Sequence, residues 1–315
     1  MQTHPFIVAL ALPLILCVMH SSNAEDNSLR EVRIAASGNI ASEFNLLSKK
    51  KRCGDDKLLD KHNFTRGTIE LVLICRALKA AGSRALLHVV PSPNYGRALR
   101  MTEIGEVDMS AETAWIFDIH EDLLHKSNEL IAWGGFEKGL YTRLDHPLLN
   151  TPIDKLDISQ YRGVTIRGWH SDWQALSAIT AQIYSATRHD SPFKMLEAGR
   201  ADFILMNFSN RKDLAVVRAD VKMKPIPGVK VKLPGARHYV TSRQSSKGKK
   251  LQNLLNLGLE KLKQNGELQR LLTHAGVNIK QTRDWKILNK TSFEQAKKLH
   301  LRHQERLDKK AEQNQ

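Results

Sequence analysis

Charge is missing from the start of this chain. Residues 1–24 hold no lysine, arginine, aspartate or glutamate, in a sequence of 315 residues of which 26% are charged. What fills the gap is an uncharged run from Phe6 to Val18, FIVALALPLILCV, followed by the polar stretch HSSNA. The run falls short of the ~18 apolar residues a membrane span needs and suits the apolar core of a cleavable signal peptide. Small side chains at Ser22 and Ala24 put the expected cut between Ala24 and Glu25. The opening MQTHP lacks the base usual in such signals. A lipoprotein signal ending at Cys17 is the alternative, though Leu16 before it is too large for that site. No later run is apolar enough to cross a bilayer, so the expectation is a water-soluble periplasmic protein, with lipid anchoring as the rival.

Cysteine is also scarce. Of three in the chain, Cys17 leaves with the signal, and Cys53 and Cys75 remain. Disulfides persist outside the cytoplasm, so these two are expected to pair, closing a loop of about 22 residues. The competing reading is two buried thiols, since Cys75 sits inside an apolar helix pattern. Neither is placed like a nucleophile or a metal ligand. Catalytic signatures are absent as well: there is no HExxH, CxxC, GxSxG or phosphate-binding loop. His88, His120, His125, His170 and His189 are scattered, so neither a metal nor a cofactor is expected. Glu112, His170 and Asp172 could do acid–base work, but such groups in a cleft more often orient a ligand. The expectation is therefore a binder and not an enzyme.

Acids are the minority charge. Lysine and arginine number 48 against 33 aspartates and glutamates, a formal net charge of +15. Export sets nucleic acid aside and leaves anionic ligands or surfaces as the partners of this excess. Two segments concentrate it. Lys222 to Arg237 carries five bases and no acid, and the tail Lys286–Gln315 has eight bases against four acids. Both read first as solvated surface, and the tail as a loosely attached helix or disorder.

The periodicity alternates strand and helix. EVRIAAS from Glu31 reads as a strand, Thr65 to Ala81 as a helix with Ile69, Val72, Leu73 and Ala77 on one face, and ALLHVVP at 85–91 as a buried strand. A short helix from Tyr95 and a strand at VDMSA follow. A second set repeats the theme: GLYTR, GVTIR, a helix after Ser171 or Asp172, a helix from Ser191-Pro192, then ADFILM and LAVVR. RHYVTS at 237–242 is a strand, and a long helix with Leu251, Leu254, Leu255 and Leu262 closes the pattern. Two such βαβ sets imply two α/β units.

RALRMTEIGEVDMS and PFKMLEAGRADFIL share one layout: a helix, a glycine, a short spacer, then an aspartate before an apolar strand. The stretch KGKKLQNLLNLGLEKLKQNGELQRLLTHAGV adds a long helix, a glycine break and a short helix. Together these resemble the bacterial extracellular solute-binding proteins of family 3, the polar-amino-acid substrate-binding type of ABC transporters. The resemblance implies the type II periplasmic binding fold, two lobes that each carry a mostly parallel sheet flanked by helices. The first lobe would be 25–138 plus 238–285 and the second 139–237, with 286–315 a basic tail. It also implies a small-molecule ligand captured between the lobes by a monomer, with an ABC permease or a sensor protein as partner.

Ligands of open α/β sheets sit beyond the carboxyl ends of strands, where helix N-termini offer free N–H groups. Those positions single out Ser37, Tyr95, Ser110, Glu112, Trp115, Arg167, Trp169, Ser171 and Asn207. Arg167 and the backbone from Trp169 to Ser171 suit an anion, although Arg167 could instead pair with a structural acid. Tyr95, Trp115 and Trp169 suit apolar walls, or simply core. Amino-acid binders of the family place an arginine just after the strand matching VDMSAETAW, where this chain reads SAETAWIF. They place an aspartate five residues beyond the Asp202 position, where this chain has Asn207. Both α-amino-acid handles are therefore expected to be absent, pointing to a different small ligand or to a sensory or accessory role.

Overall fold

The computed structural model describes residues 29–49, 52–166, 168–188 and 190–313. The expected signal peptide, its cut, and Arg167 lie outside the described residues.

The first sheet grows from strand β1 (Glu31–Ser37), whose Val32, Ile34, Ala35 and Ala36 are buried. It pairs in parallel with β2 (Leu86–Ser92) and β3 (Met109–Ser110). Strands β4 (Ala114–Trp115) and β5 (Leu124–Ile131) complete the run before the chain leaves this sheet. It returns as β12 (Arg237–Ser242), antiparallel to β3, β4 and β5. The second sheet holds β6 (Glu137–Arg143), β7 (Gly163–Ile166), β8 (Ile183–Ala186), β9 (Phe203–Met206), β10 (Val216–Arg218) and β11 (Val221–Lys232). There β7 runs parallel to β8 and β9, while β6 is antiparallel to β9 and β11. Each sheet is thus parallel in its βαβ half and antiparallel where the chain passes between sheets. Two segments make that passage from strand to strand, 132–136 from β5 to β6 and 233–236 from β11 to β12, and the chain crosses a third time through 275–285, after its last helix on the first sheet.

Helices cover the first sheet. They are α1 (Ile40–Ser48), α2 (Asp56–Lys61), α3 (Arg66–Ala80) and α4 (Tyr95–Glu103), joined later by α7 (Gly248–Gln264) and α8 (Glu267–His274). The expected face of α3 is buried, and so are most of its other residues, because α7 packs on its far side. Gly258 permits that approach: a Cβ there would lie 1.9 Å from the Ala77 carbonyl oxygen. Cys53 and Cys75 are disulfide-bonded, with Cα atoms 5.3 Å apart; closing such a loop stabilises by about 3 kcal/mol. Helices α5 (His170–Ser177) and α6 (Ser191–Glu197) cover the second sheet. One apolar core includes Ile34, Leu73 and Leu251 from the first sheet's layers, Leu140, Phe203 and Val229 from the second, and Phe136 between them.

Two basic segments differ from expectation. The stretch from Lys222 is strand β11, interior to the second sheet, and Lys230 is buried at 3% exposure. Alternation of apolar and basic residues in VKMK and VKVK carried that strand, with Pro225, Pro227 and Gly228 accommodated by a register shift. The tail is attached through strand β13 (Lys286–Ile287), parallel to β11, and helix α9 (Lys290–Gln313), whose Phe293 is buried. Phe293, Ala296 and His300 recur at helical spacing, and this short stripe docks the helix.

Candidate functional site

Where the two sheets face each other, ionised side chains gather around one aromatic ring. Phe136 ends the first crossover. The Arg66 guanidinium carbon lies 5.6 Å from its ring centroid, Arg237 5.4 Å and the Lys138 Nζ 5.9 Å. Phe136 in turn meets Trp115 edge-on at 5.3 Å. Each cation comes from an element boundary: Arg66 opens α3, Lys138 is the second residue of β6, and Arg237 opens β12.

Their partners differ. Arg66 Nη1 lies 2.5 Å from Glu70 Oε2, and its Nη2 lies 3.6 Å from Glu112 Oε1. Glu70 accepts from the Thr113 amide and the Thr113 hydroxyl, both at 2.9 Å. Glu112 accepts from Ser37 Oγ, at the end of β1. Lys138 pairs with Asp172 at 2.6 Å and sits 5.1 Å above the Trp169 ring. Arg237 donates from Nε to Thr113 Oγ1 at 2.8 Å and from Nη2 to the Thr113 carbonyl. It lies 4.4 Å over the Trp115 ring, at 3% exposure, and forms no ion pair with any carboxylate among the described residues.

The protonation balance follows from that arrangement. Burial alone would lower the Arg66 value, but Glu70 and Glu112 hold it above the ordinary one. Burial pulls Lys138 down; Asp172 opposes this, while Arg66 and Arg237 add to it. Arg237 is brought down to about 10, first by burial and then by Arg66, with Glu70 only partly compensating. Three cations therefore face three carboxylates, yet the pairing is uneven: Arg66 lies within 4 Å of two carboxylates, while Glu70 and Glu112 act on Arg237 only from farther away. Such a site can hold a small molecule through charge-assisted bonds of about 1.5–3 kcal/mol each, between aromatic walls.

The residues expected at strand ends fall into groups. Ser37, Glu112 and Trp115 belong to the cluster, and Trp169 joins it through Lys138. Tyr95 stands one shell out: its hydroxyl donates to Asp118 at 2.8 Å and accepts from the Trp115 amide at 3.3 Å. Burial, with the Asp118 charge, raises its pKa well above the ordinary phenol value. Ser110 is buried in β3 with its hydroxyl unpartnered, and Ser171 is buried in the first turn of α5. Asn207 lies beside Gly276, where a Cβ on that glycine would be 3.1 Å from its own. A pocket of about 320 Å³ lies around Ile166, Gly168, Trp169, His170, Trp173 and Ser185. No group of three or more His, Cys, Asp or Glu side chains among the described residues could hold a metal ion.

Sequence reasoning missed Arg66, Glu70, Phe136, Lys138 and Arg237. The available signal was a base at the mouth of an apolar run, as in EKGLYT and RHYVTS, where a solvated charge has no reason to sit.

The sequence matches no protein-family profile and no curated protein. Solved structures do match. The periplasmic VFT2 domain of BvgS from Bordetella pertussis is 17% identical, with 78% of this chain and 93% of that domain covered and a TM-score of 0.51. A double mutant of the same domain gives 0.52 over 78% and 92%, also at 17% identity. The full BvgS periplasmic domain, 16% identical, gives 0.50 over 86% of this chain and 46% of that one. The fold is a Venus flytrap. That is the two-lobed type II periplasmic binding fold, with the charged cluster between its sheets.

Proposed function

We propose that this chain is a periplasmic solute-binding protein that closes two lobes on a small polar or anionic organic ligand, delivering it for ABC-type uptake. In this reading the lobes are 25–138 with 238–285, and 139–237, and segments 132–136 and 233–236 are the hinge. One observation carries it. Arg237 is a buried guanidinium with two aromatic faces, no carboxylate of its own, and a place where both crossovers meet. A buried charge left unpaired costs several kcal/mol, roughly, and a ligand oxyanion would relieve that cost. Ser37, Glu112, Trp115, Trp169, Arg66 and Lys138 would shape the rest of the site. The missing α-amino-acid handles argue for a ligand other than an ordinary L-amino acid; micromolar binding of one by calorimetry would refute that part.

A thermal-shift screen across organic acids, amines, peptides and sugars tests the main reading. A true ligand at 100 times its Kd stabilises by about 2.7 kcal/mol, and Arg237→Met removes that shift. If no class of compound raises the Tm, the reading fails. A second reading, an orphan binder with a sensory or accessory role, is favoured by the docking of α9 at the hinge. Loss of uptake on deletion of the gene supports the first reading, and intact uptake supports the second.

A further inference from the structure

Helix α9 touches three parts of the molecule at once. Phe293 fills the space over Gly134 in the first crossover, where φ is +78° and a Cβ would come within 2.6 Å of Phe293 Cζ. His300, about two turns on, stacks on Trp133 of the same crossover at 4.2 Å and 17°. It also meets Phe117, just after β4, edge-on at 5.9 Å. On the other side stands Lys232, the last residue before the second crossover. Its amide donates to Asn289 Oδ1 at 3.0 Å, its carbonyl accepts from Asn289 Nδ2 at 2.7 Å, and its Nζ lies 5.7 Å from the Phe293 ring centroid. The approach to the helix is fixed on the second sheet, where the Leu288 amide donates to the Lys230 carbonyl at 2.9 Å.

Lobe motion in a hinged protein is a change of backbone torsion in a few connecting residues. Phe293 rests on one such residue, a glycine in the left-handed region with no Cβ to buffer its movement. Asn289 grips the backbone of Lys232, the last residue of β11, by both its polar groups, so α9 is carried with the second sheet, and rotation about the crossovers must shift Phe293 and His300 against Gly134, Trp133 and Phe117. The hold of α9 therefore differs between lobe arrangements, and a contact that distinguishes two states shifts their populations. We infer that α9 is a hinge strap whose docking is coupled to the angle between the lobes. Closure on a ligand changes the grip on the helix, and displacement of the helix changes the affinity of the cleft, because such coupling is reciprocal. Residues 301–306 are exposed beyond the docked stripe and give a partner something to pull. The inference rests on the reading of the molecule as two lobes that move about the crossovers.

The test needs no ligand. Spin labels at Lys79→Cys, on α3, and Lys194→Cys, on α6, report the inter-lobe distance distribution in the full chain. The same pair is measured in a chain ending at Leu288 and in the double variant Phe293→Ala, His300→Ala; hydrogen exchange over residues 290–300 verifies undocking. Coupling predicts that releasing α9 changes the ratio of lobe arrangements by about 5- to 150-fold, the usual span for linked sites. It also predicts faster exchange in segments 132–136 and 233–236. An unchanged distribution with an undocked helix overturns the strap. Should the shortened chain fail to fold, the double variant decides alone. Failure here is separable from failure of the cleft reading, since that is decided by the ligand screen on the intact chain.

Discussion

Lys230 and Arg237 stand on either side of the second crossover, both at 3% exposure, and the molecule treats them in opposite ways. Lys230 has an acceptor for each N–H: Glu137 Oε2 at 2.8 Å, the Thr282 carbonyl at 2.9 Å and the Arg283 carbonyl at 3.2 Å. Arg237 is tied only to Thr113 and flanked by rings, with no carboxylate among the described residues. A charge taken from water is tolerated when attraction and hydrogen bonds replace its hydration. At Lys230 they do, and the result is a fastening for the tail. At Arg237 two hydrogen bonds to Thr113 and two aromatic faces replace it without an ion pair, and the proposed anion site rests on that difference. The hinge side of the crossover is closed electrostatically, and the cleft side is open.

The largest expected effect falls on the closed side. Phe293→Ala leaves a void over Gly134 and costs about 3–5 kcal/mol in the stability of the docked tail, read by denaturant unfolding and by exchange at residues 290–300. Lys230→Ala leaves two carbonyls unpaired and Glu137 with only the longer Lys232 contact at 3.8 Å; it costs about 3 kcal/mol, the lower end for a broken buried pair because Glu137 also keeps 23% exposure. Lys230→Met, which fills the volume but leaves those acceptors, should recover part of that loss. If both variants match the wild type, the hinge side is not the closed fastening described.

Acid is the next lever. His238, His274 and His300 are held below the ordinary imidazole value of 6.5, in each case first by burial. His238 is also pushed down by Lys126, His274 by Arg270 and His300 by His303. In the folded state these rings bind fewer protons than in the unfolded chain, so stability rises with pH across the interval between the lowered values and 6.5. Their contribution is whole above pH 6.5 and is lost progressively as pH falls below it. A Tm that declines from about pH 7 to pH 5, less steeply in His300→Ala, is the expected result; a flat profile denies any acid sensitivity to the tail and hinge.

Much of the frame was legible in the sequence, for reasons that particular residues show. Val32, Ile34 and the α3 face announce themselves because apolar periodicity reports burial directly. The pairing of Cys53 with Cys75 followed from the even count left once Cys17 is set aside with the expected signal peptide. Strand-end positions in βαβ units also pointed to Ser37, Glu112, Trp115 and Trp169, which the structure places in the candidate cluster. The cations were not. Arg66, Lys138 and Arg237 lie 72 or more residues apart in sequence, and no local pattern records which charges a fold will bury together. The tail misled for a related cause: α9 docks by Phe293 on Gly134 and by His300 on Trp133 and Phe117, too little apolar surface to stand out beside its charges.

The smallest expected change in stability is at Arg237, and it bears most on the contrast. Arg237→Met keeps the length and much of the apolar contact with Trp115 and Phe136 while removing a buried charge that is in no ion pair with a carboxylate among the described residues. Loss of that charge also relieves Lys138, whose value it helps to lower. Stability is therefore expected to stay within about 1 kcal/mol of the wild type or to rise, the pattern seen when buried ionic groups give way to apolar ones of similar volume. Ligand-induced stabilisation, in contrast, should vanish. Lys230→Met is the paired control, losing stability while keeping the ligand response. If Arg237→Met instead unfolds the protein as Lys230→Ala does, then Arg237 is a fastening like its neighbour, and the cleft owes its anion preference to Arg66 and Lys138.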